Sequence, residues 1–145
     1  MRGVLNGLVA DTSRTAIVDL EAGLEHLSRG TARHVDTLFI VGEPYFKSLE
    51  TAGRSFALAK DLGIKRIRMV ANKIRGPRDE DSVREFAGRH GLPVAGVVPF
   101  DDAVVGADEN GAALIEYRPA SPSVTAIRRL ADDLLAGAGA GQRGR

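Results

Sequence analysis

Asp19, Gly23, Asn72, Lys73, Pro99 and Asp101 are the residues whose types and spacing could act together chemically. Asp19 ends a short apolar run, Ala16-Ile17-Val18, and is followed by Glu21, Gly23, Glu25 and His26. An Asp at a strand tip can hold a magnesium-bound water, which suits a hard cation that keeps its hydration shell. A glycine four residues on lets backbone N–H groups come close to a terminal phosphate. Asn72 closes a second apolar run; its amide offers one donor and one acceptor edge, a match for adenine. Lys73, at the head of the basic run Lys73, Arg75 and Arg78, is placed for a phosphate or ribose contact. The turn Pro99-Phe100-Asp101 can form the other wall of a base pocket. Each residue also has an ordinary reading: Asp19 as an acid favouring a helix start, Asn72 as a strand terminator, the basic run as a solvated loop. The combination is what matters, because ligands of open α/β sheets sit outside the carboxyl ends of the strands.

The elements that must position these residues are legible as alternating patterns. Strands are expected at Thr15–Asp19, Thr37–Gly42, Arg66–Asn72 and Val94–Phe100, rich in Val, Ile and Phe and not cleanly alternating, as when both faces are covered. Helices are expected at Lys47–Leu62, with Gly63 capping its end, at Asp79–His90, stopping at Gly91, and at Pro122–Leu135, with Ser121 as N-cap and Pro122 at the first position. Strands alternating with helices imply crossovers and hence an α/β fold with a mostly parallel sheet and helices on both faces. The expected organisation is a lead-in over 1–14, one α/β domain over 15–136 and a disordered tail over 137–145. That tail's GAGAG follows a helix and so cannot be a dinucleotide fingerprint, which must follow a strand and open a helix.

Bulk composition excludes several classes. At 145 residues the chain is one domain's worth, able to bury about 68–70% of its unfolded surface. Twenty basic against nineteen acidic residues give a net charge of +1, which argues against a nucleic-acid or membrane-surface footprint. With no cysteine, thiol catalysis and cysteine-ligated metal are excluded within these residues. No apolar run reaches the ~18 residues needed to span a bilayer. The default expectation is a cytoplasmic protein with neither a membrane span nor a nucleic-acid partner.

The strings VDLEAGLEHLSRGTA, EPYFKSLETA, LAKDLGIKRIRMVANKIR and VVPFDDAVVGADENGAAL resemble the C-terminal part of MinD/ParA-type P-loop ATPases. Within that group they are most similar to the CooC-like factors that mature carbon monoxide dehydrogenase by nickel insertion. The resemblance runs from about Thr15 to Leu135. It implies ATP and Mg2+ as cofactors, and a dimer formed around two nucleotides. It implies catalytic roles for Asp19, near magnesium through a bound water, and for Gly23, as the switch glycine sensing the γ-phosphate. It assigns Asn72, and Pro99 with Asp101, to the nucleotide base pocket; Lys73 is expected among the nucleotide-binding residues beside them. A client metalloenzyme is the implied partner.

The family's glycine-rich Walker A loop, G-K-G-G-x-G-K-[ST], has no counterpart here, since none of the four lysines follows a glycine. The expectation is therefore the C-terminal part of an ATP-binding protein without autonomous hydrolysis, partnered by a second copy or by a complementing N-terminal fragment. A truncated reading frame, a split gene and a degenerate remnant all fit. The alternative is a non-catalytic pseudo-ATPase that serves as an interaction or dimerisation module. His26 beside Glu25, and Arg29 with Arg33, are read as structural or partner-facing rather than metal-binding.

Overall fold

The computed structural model describes residues 15–20, 32 and 34–141. Three parallel strands, β1 (Leu38–Gly42), β2 (Ile67–Ile74) and β3 (Val94–Pro99), lie side by side in that order. Helix α1 (Phe46–Asp61) joins β1 to β2, and α2 (Pro77–His90) joins β2 to β3. Beyond β3 come two short helices, α3 (Asp102–Glu109) and α4 (Leu114–Tyr117), and the long α5 (Pro122–Gly141). This is the expected parallel α/β sheet.

Helices α1 and α2 bury one sheet face. Leu49, Ala52 and Ala59 of α1 and Val83, Phe86 and Ala87 of α2 meet Ile40, Met69, Ala71 and Ile74 in one cluster. Met69 and Val83 are fully enclosed, a burial contributing about 1.5–3 kcal/mol each. Both helices stop where the sequence indicates. Gly63, with φ +83°, donates to the Lys60 carbonyl, and Gly91, with φ +64°, closes α2; this left-handed backbone suits glycine.

The opposite face takes α5, through Leu130 against Gly96. Its start is as expected: Pro122 is the first helical residue and Ser121 Oγ accepts the Val124 N–H at 3.2 Å.

Two irregularities rephase the ladder. Met69 pairs with Val94 but Val70 with Gly96, so β3 carries one extra residue at Ala95; Ala71 pairs with Val97 but Ile74 with Pro99, so β2 carries one extra residue at Asn72–Lys73. The second bulge changes the spacing of core-facing residues in β2 from two (Met69 to Ala71) to three (Ala71 to Ile74). Lys73 accommodates it with φ +57°, a left-handed conformation rare for a residue with a Cβ.

Several expectations need correcting. Thr15–Asp19 forms no strand: the segment has no regular structure, and Ile17 is 91% exposed. An extended run becomes a strand only by pairing its backbone groups, and no described segment pairs with it. Only Leu20, next along, packs partly against the core. At the other end α5 continues to Gly141, through residues expected to begin a disordered tail. The glycines that alternate with alanine there disfavour helix, which is the reason a tail is expected; the Arg66 guanidinium lies against Gly137, where a Cβ would stand 3.0 Å from its nitrogen. Helices α3 and α4 were not anticipated, being too short to show an apolar stripe.

Candidate functional site at the carboxyl ends of the strands

The carboxyl ends of β1, β2 and β3 bring Glu43, Asn72, Lys73 and Pro99 to one edge of the sheet. Asn72 and Lys73 are the two residues at the β2 bulge. Bulges re-aim side chains and recur beside functional sites. Asn72 is half-buried, whereas Lys73 is exposed and reaches across to the tip of β1, its Nζ 3.0 Å from Glu43 Oε1. That ion pair joins two strand tips and was not legible in the sequence, since thirty residues separate its partners.

Glu43 is only half satisfied. Its backbone N–H donates to Ser48 Oγ at 2.8 Å, in the first turn of α1, but its side-chain Oε2 is buried without a partner. An unpaired buried acceptor costs about 1–3 kcal/mol. Beside it lies an open groove of about 500 Å³, lined by Val41, Glu43, Tyr45, Ser48 and Thr51. Val41 and Tyr45 in that groove are 61% and 55% exposed, and neighbouring Phe46 is 74% exposed, a concentration of apolar surface around the end of β1.

On the other side Pro99 ends β3 in register with Ile74, and its carbonyl accepts the Ser123 hydroxyl at 3.1 Å. Asp101 is committed to structure. One carboxylate oxygen accepts the Ala103 N–H at 3.0 Å as the N-cap of α3, and the other accepts the Ser123 N–H at 3.1 Å at the start of α5. Burial works against its ionisation, but the backbone N–H donors of Ser123 and Ala103, helped by the Ser121 hydroxyl, outweigh it and hold the carboxyl below its usual range. Between the two tips, Phe100 donates its N–H to the Ile74 carbonyl at 2.9 Å, and the Arg75 guanidinium lies 3.6 Å from the Phe100 ring centre.

Asn72 and Lys73 thus lie at the β2 bulge and Pro99 at the tip of neighbouring β3, whereas the Asp101 carboxylate is engaged by Ala103 and Ser123. Asp19 is exposed and stands apart from any regular element, and Gly23, Glu25, His26, Arg29 and Arg33 lie outside the described residues. No cluster of three or more metal-ligating side chains occurs among the described residues. Among the described residues, the half-buried Asn72 at the β2 bulge has the amide chemistry to meet a base edge, and exposed Asp19 has the carboxylate chemistry to hold a magnesium-bound water.

The parallel sheet, its crossover helices and this edge define a MinD/ParA-type P-loop NTPase fold. The MinD cell division protein of Aquifex aeolicus superposes with a TM-score of 0.64 at 19% identity, covering 79% of this chain and 50% of that one. No protein-family profile matches the chain. Individual relatives do: it is 39% identical over 120 residues to the carbon monoxide dehydrogenase accessory protein CooC of Rhodospirillum rubrum, covering 83% of this chain and 45% of the relative. It is 41% identical over 106 residues to an uncharacterized ATP-binding protein of Methanocaldococcus jannaschii, covering 72% of this chain and 41% of that protein. The chain is thus similar to CooC and to MinD/ParA-type ATP-binding proteins, over about 45% of their length and in their C-terminal part. It spans about half the length of the curated relatives it matches.

Proposed function

We propose that this chain supplies the base-binding part of a MinD/ParA-type ATP site and does not hydrolyse ATP by itself. The observation that supports this reading is the β2 bulge at Asn72–Lys73, in the strand that lies between Glu43 at the β1 tip and Pro99 at the β3 tip. In this reading Asn72 pairs with the edge of adenine, and the Pro99-Phe100-Asp101 turn closes the pocket through its backbone while the Asp101 carboxylate holds α3 and α5 in place. Lys73 faces the ribose or phosphate side. The triphosphate cradle and its lysine come from a glycine-rich loop that the sequence does not contain, so the segment that supplies it lies outside these 145 residues. Such a segment would add a parallel strand at the outer edge of β1. Asp19, through a magnesium-bound water, and Gly23, at the γ-phosphate, complete the site only in that assembly.

By analogy with the relative named for carbon monoxide dehydrogenase, the assembled protein serves nickel insertion into a client metalloenzyme, as a dimer, in the cytoplasm. A non-catalytic interaction module is the second reading, favoured by the complete structural commitment of the Asp101 carboxylate.

Calorimetric titration tests the first reading. The isolated chain should bind ATP at high-micromolar affinity or weaker and hydrolyse none above background. Adding the N-terminal half of a full-length relative should bring binding into the low-micromolar range, and Asn72→Ala should then abolish the preference for ATP over GTP. Low-micromolar binding by the isolated chain, or an unchanged preference in the variant assembly, overturns it. Complementation without any gain in nucleotide affinity favours the interaction module.

A further inference from the structure

From the Arg75–Phe100 stack we infer that Arg75 is a purine-stacking residue, a second base contact beside Asn72 that no sequence motif marks. The inference rests on the reading that the Asn72 end of the sheet takes a nucleotide base. Arg75 and Phe100 directly follow the last register pair, Ile74 and Pro99, and so stand side by side across the β2–β3 tips. Both backbones are pinned. Phe100 donates its N–H to the Ile74 carbonyl at 2.9 Å, and Arg75 donates its own to Asp79 Oδ2 at 2.9 Å. The guanidinium plane is held 3.6 Å from the ring centre of half-buried Phe100, with Arg75 itself exposed.

A guanidinium has two faces. Phe100 covers one, and the other faces outward, three residues from Asn72 on the same sheet edge. The nearby Asp79 carboxylate is engaged by the Arg75 backbone, and no carboxylate among the described residues pairs with the guanidinium. An uncompensated planar cation, flattened against an aromatic ring, is suited to stacking on a purine, with Phe100 as the base of the stack. Such a platform favours purines over pyrimidines but does not tell adenine from guanine, which remains the work of the Asn72 amide.

That division of labour gives the test. Amide spectra of the full 145-residue chain are titrated into the millimolar range with AMP, GMP, CMP and ribose 5-phosphate, for wild type, Arg75→Ala, Arg75→Lys and Asn72→Ala. Arg75→Ala should weaken AMP and GMP alike by about fivefold or more, the lower end for a base stack, and leave ribose 5-phosphate unchanged. Arg75→Lys, which keeps the charge and loses the plane, should weaken them nearly as much. Asn72→Ala should instead erase the preference for AMP over GMP. If Arg75→Ala weakens ribose 5-phosphate as much as AMP, Arg75 is a phosphate contact and the inference fails. It fails equally if both Arg75 variants bind AMP like wild type while Asn72→Ala loses its preference, an outcome that leaves the adenine reading intact. A wild-type chain with no base-dependent shifts overturns both.

Discussion

Lys73 and Glu43 form a 3.0 Å ion pair across the tips of adjacent parallel strands, and the lysine that makes it has a positive φ. Two opposing effects meet in that one residue. A left-handed conformation costs a residue with a Cβ about 1 kcal/mol relative to glycine. The pair returns little, because the Lys73 side chain is half exposed and such pairs contribute about 0–1 kcal/mol. Lys73→Gly should therefore be neutral to slightly stabilising in urea denaturation, and Lys73→Ala destabilising by about 0.5 kcal/mol. Lys73→Val should be worse than either, since a β-branched side chain tolerates positive φ least. A valine variant as stable as the glycine variant would show that the bulge relaxes and stores no strain.

The contact between β3 and α5 sets a second expectation. A Cβ on Gly96 would stand 2.7 Å from Leu130 Cδ2 and 3.2 Å from its Cγ, and both strand and helix backbones are fixed. Gly96→Ala should cost about 1–3 kcal/mol, the usual range for overpacking. Leu130→Ala alone should also destabilise, by opening a cavity. The double variant should be more stable than the sum of the single losses implies, and thermal melts of the four proteins measure that coupling.

Asp101 gives a pH dependence with a definite sign. Its carboxyl is held below the ordinary value, so the stability it contributes is complete above the unfolded value of about 3.9 and is lost as pH falls through the lower folded value. Asp101→Asn keeps one acceptor for the Ala103 N–H but sets an amide opposite the Ser123 N–H. It should cost about 1 kcal/mol near neutrality, and the gap to wild type should close below about pH 4. Denaturant midpoints across that range decide it; a gap constant down to pH 2 would mean the carboxylate charge contributes nothing.

What the sequence made legible follows from how local each signal is. Helices α1, α2 and α5 carry apolar stripes and have Gly63, Gly91 and the Ser121-Pro122 start at their ends, so a single stretch of chain defines each one. The three paired strands were legible for the same reason. Ala16-Ile17-Val18 is just as apolar as those strands, yet strand formation depends on a neighbour that no local pattern supplies. The site shows the same split. Pro99 was legible as a strand tip, but Asn72 was expected to end its strand and β2 runs on past it to Ile74; the bulge, the Lys73–Glu43 pair and the Arg75–Phe100 stack arise from register between strands, and register appears only once they pair. Asp101 was legible as a turn residue, but its link to Ser123 spans 22 positions and is a tertiary contact.

The outer edge of β1 carries the last expectation. Among the described residues β1 pairs with β2 alone, so its other side has no partner strand among them, beside exposed Val41, Tyr45 and Phe46. An apolar strand edge of this kind is a template for another chain. Residues Thr15–Leu20 lack any ladder and should exchange their amide hydrogens fastest among the described segments, while central β2, paired on both sides, should exchange slowest. Leu38–Gly42 should fall between them in dilute protein and gain protection as concentration rises, because association covers the free edge. Val41→Lys places a charge on that edge at a position already 61% exposed, so it should leave folding nearly unchanged and suppress association. Sedimentation velocity over a concentration series, with hydrogen exchange by mass spectrometry on the same samples, measures both effects. Concentration-independent protection of β1, with identical sedimentation of wild type and Val41→Lys, would mean that the edge is already shielded by the chain itself.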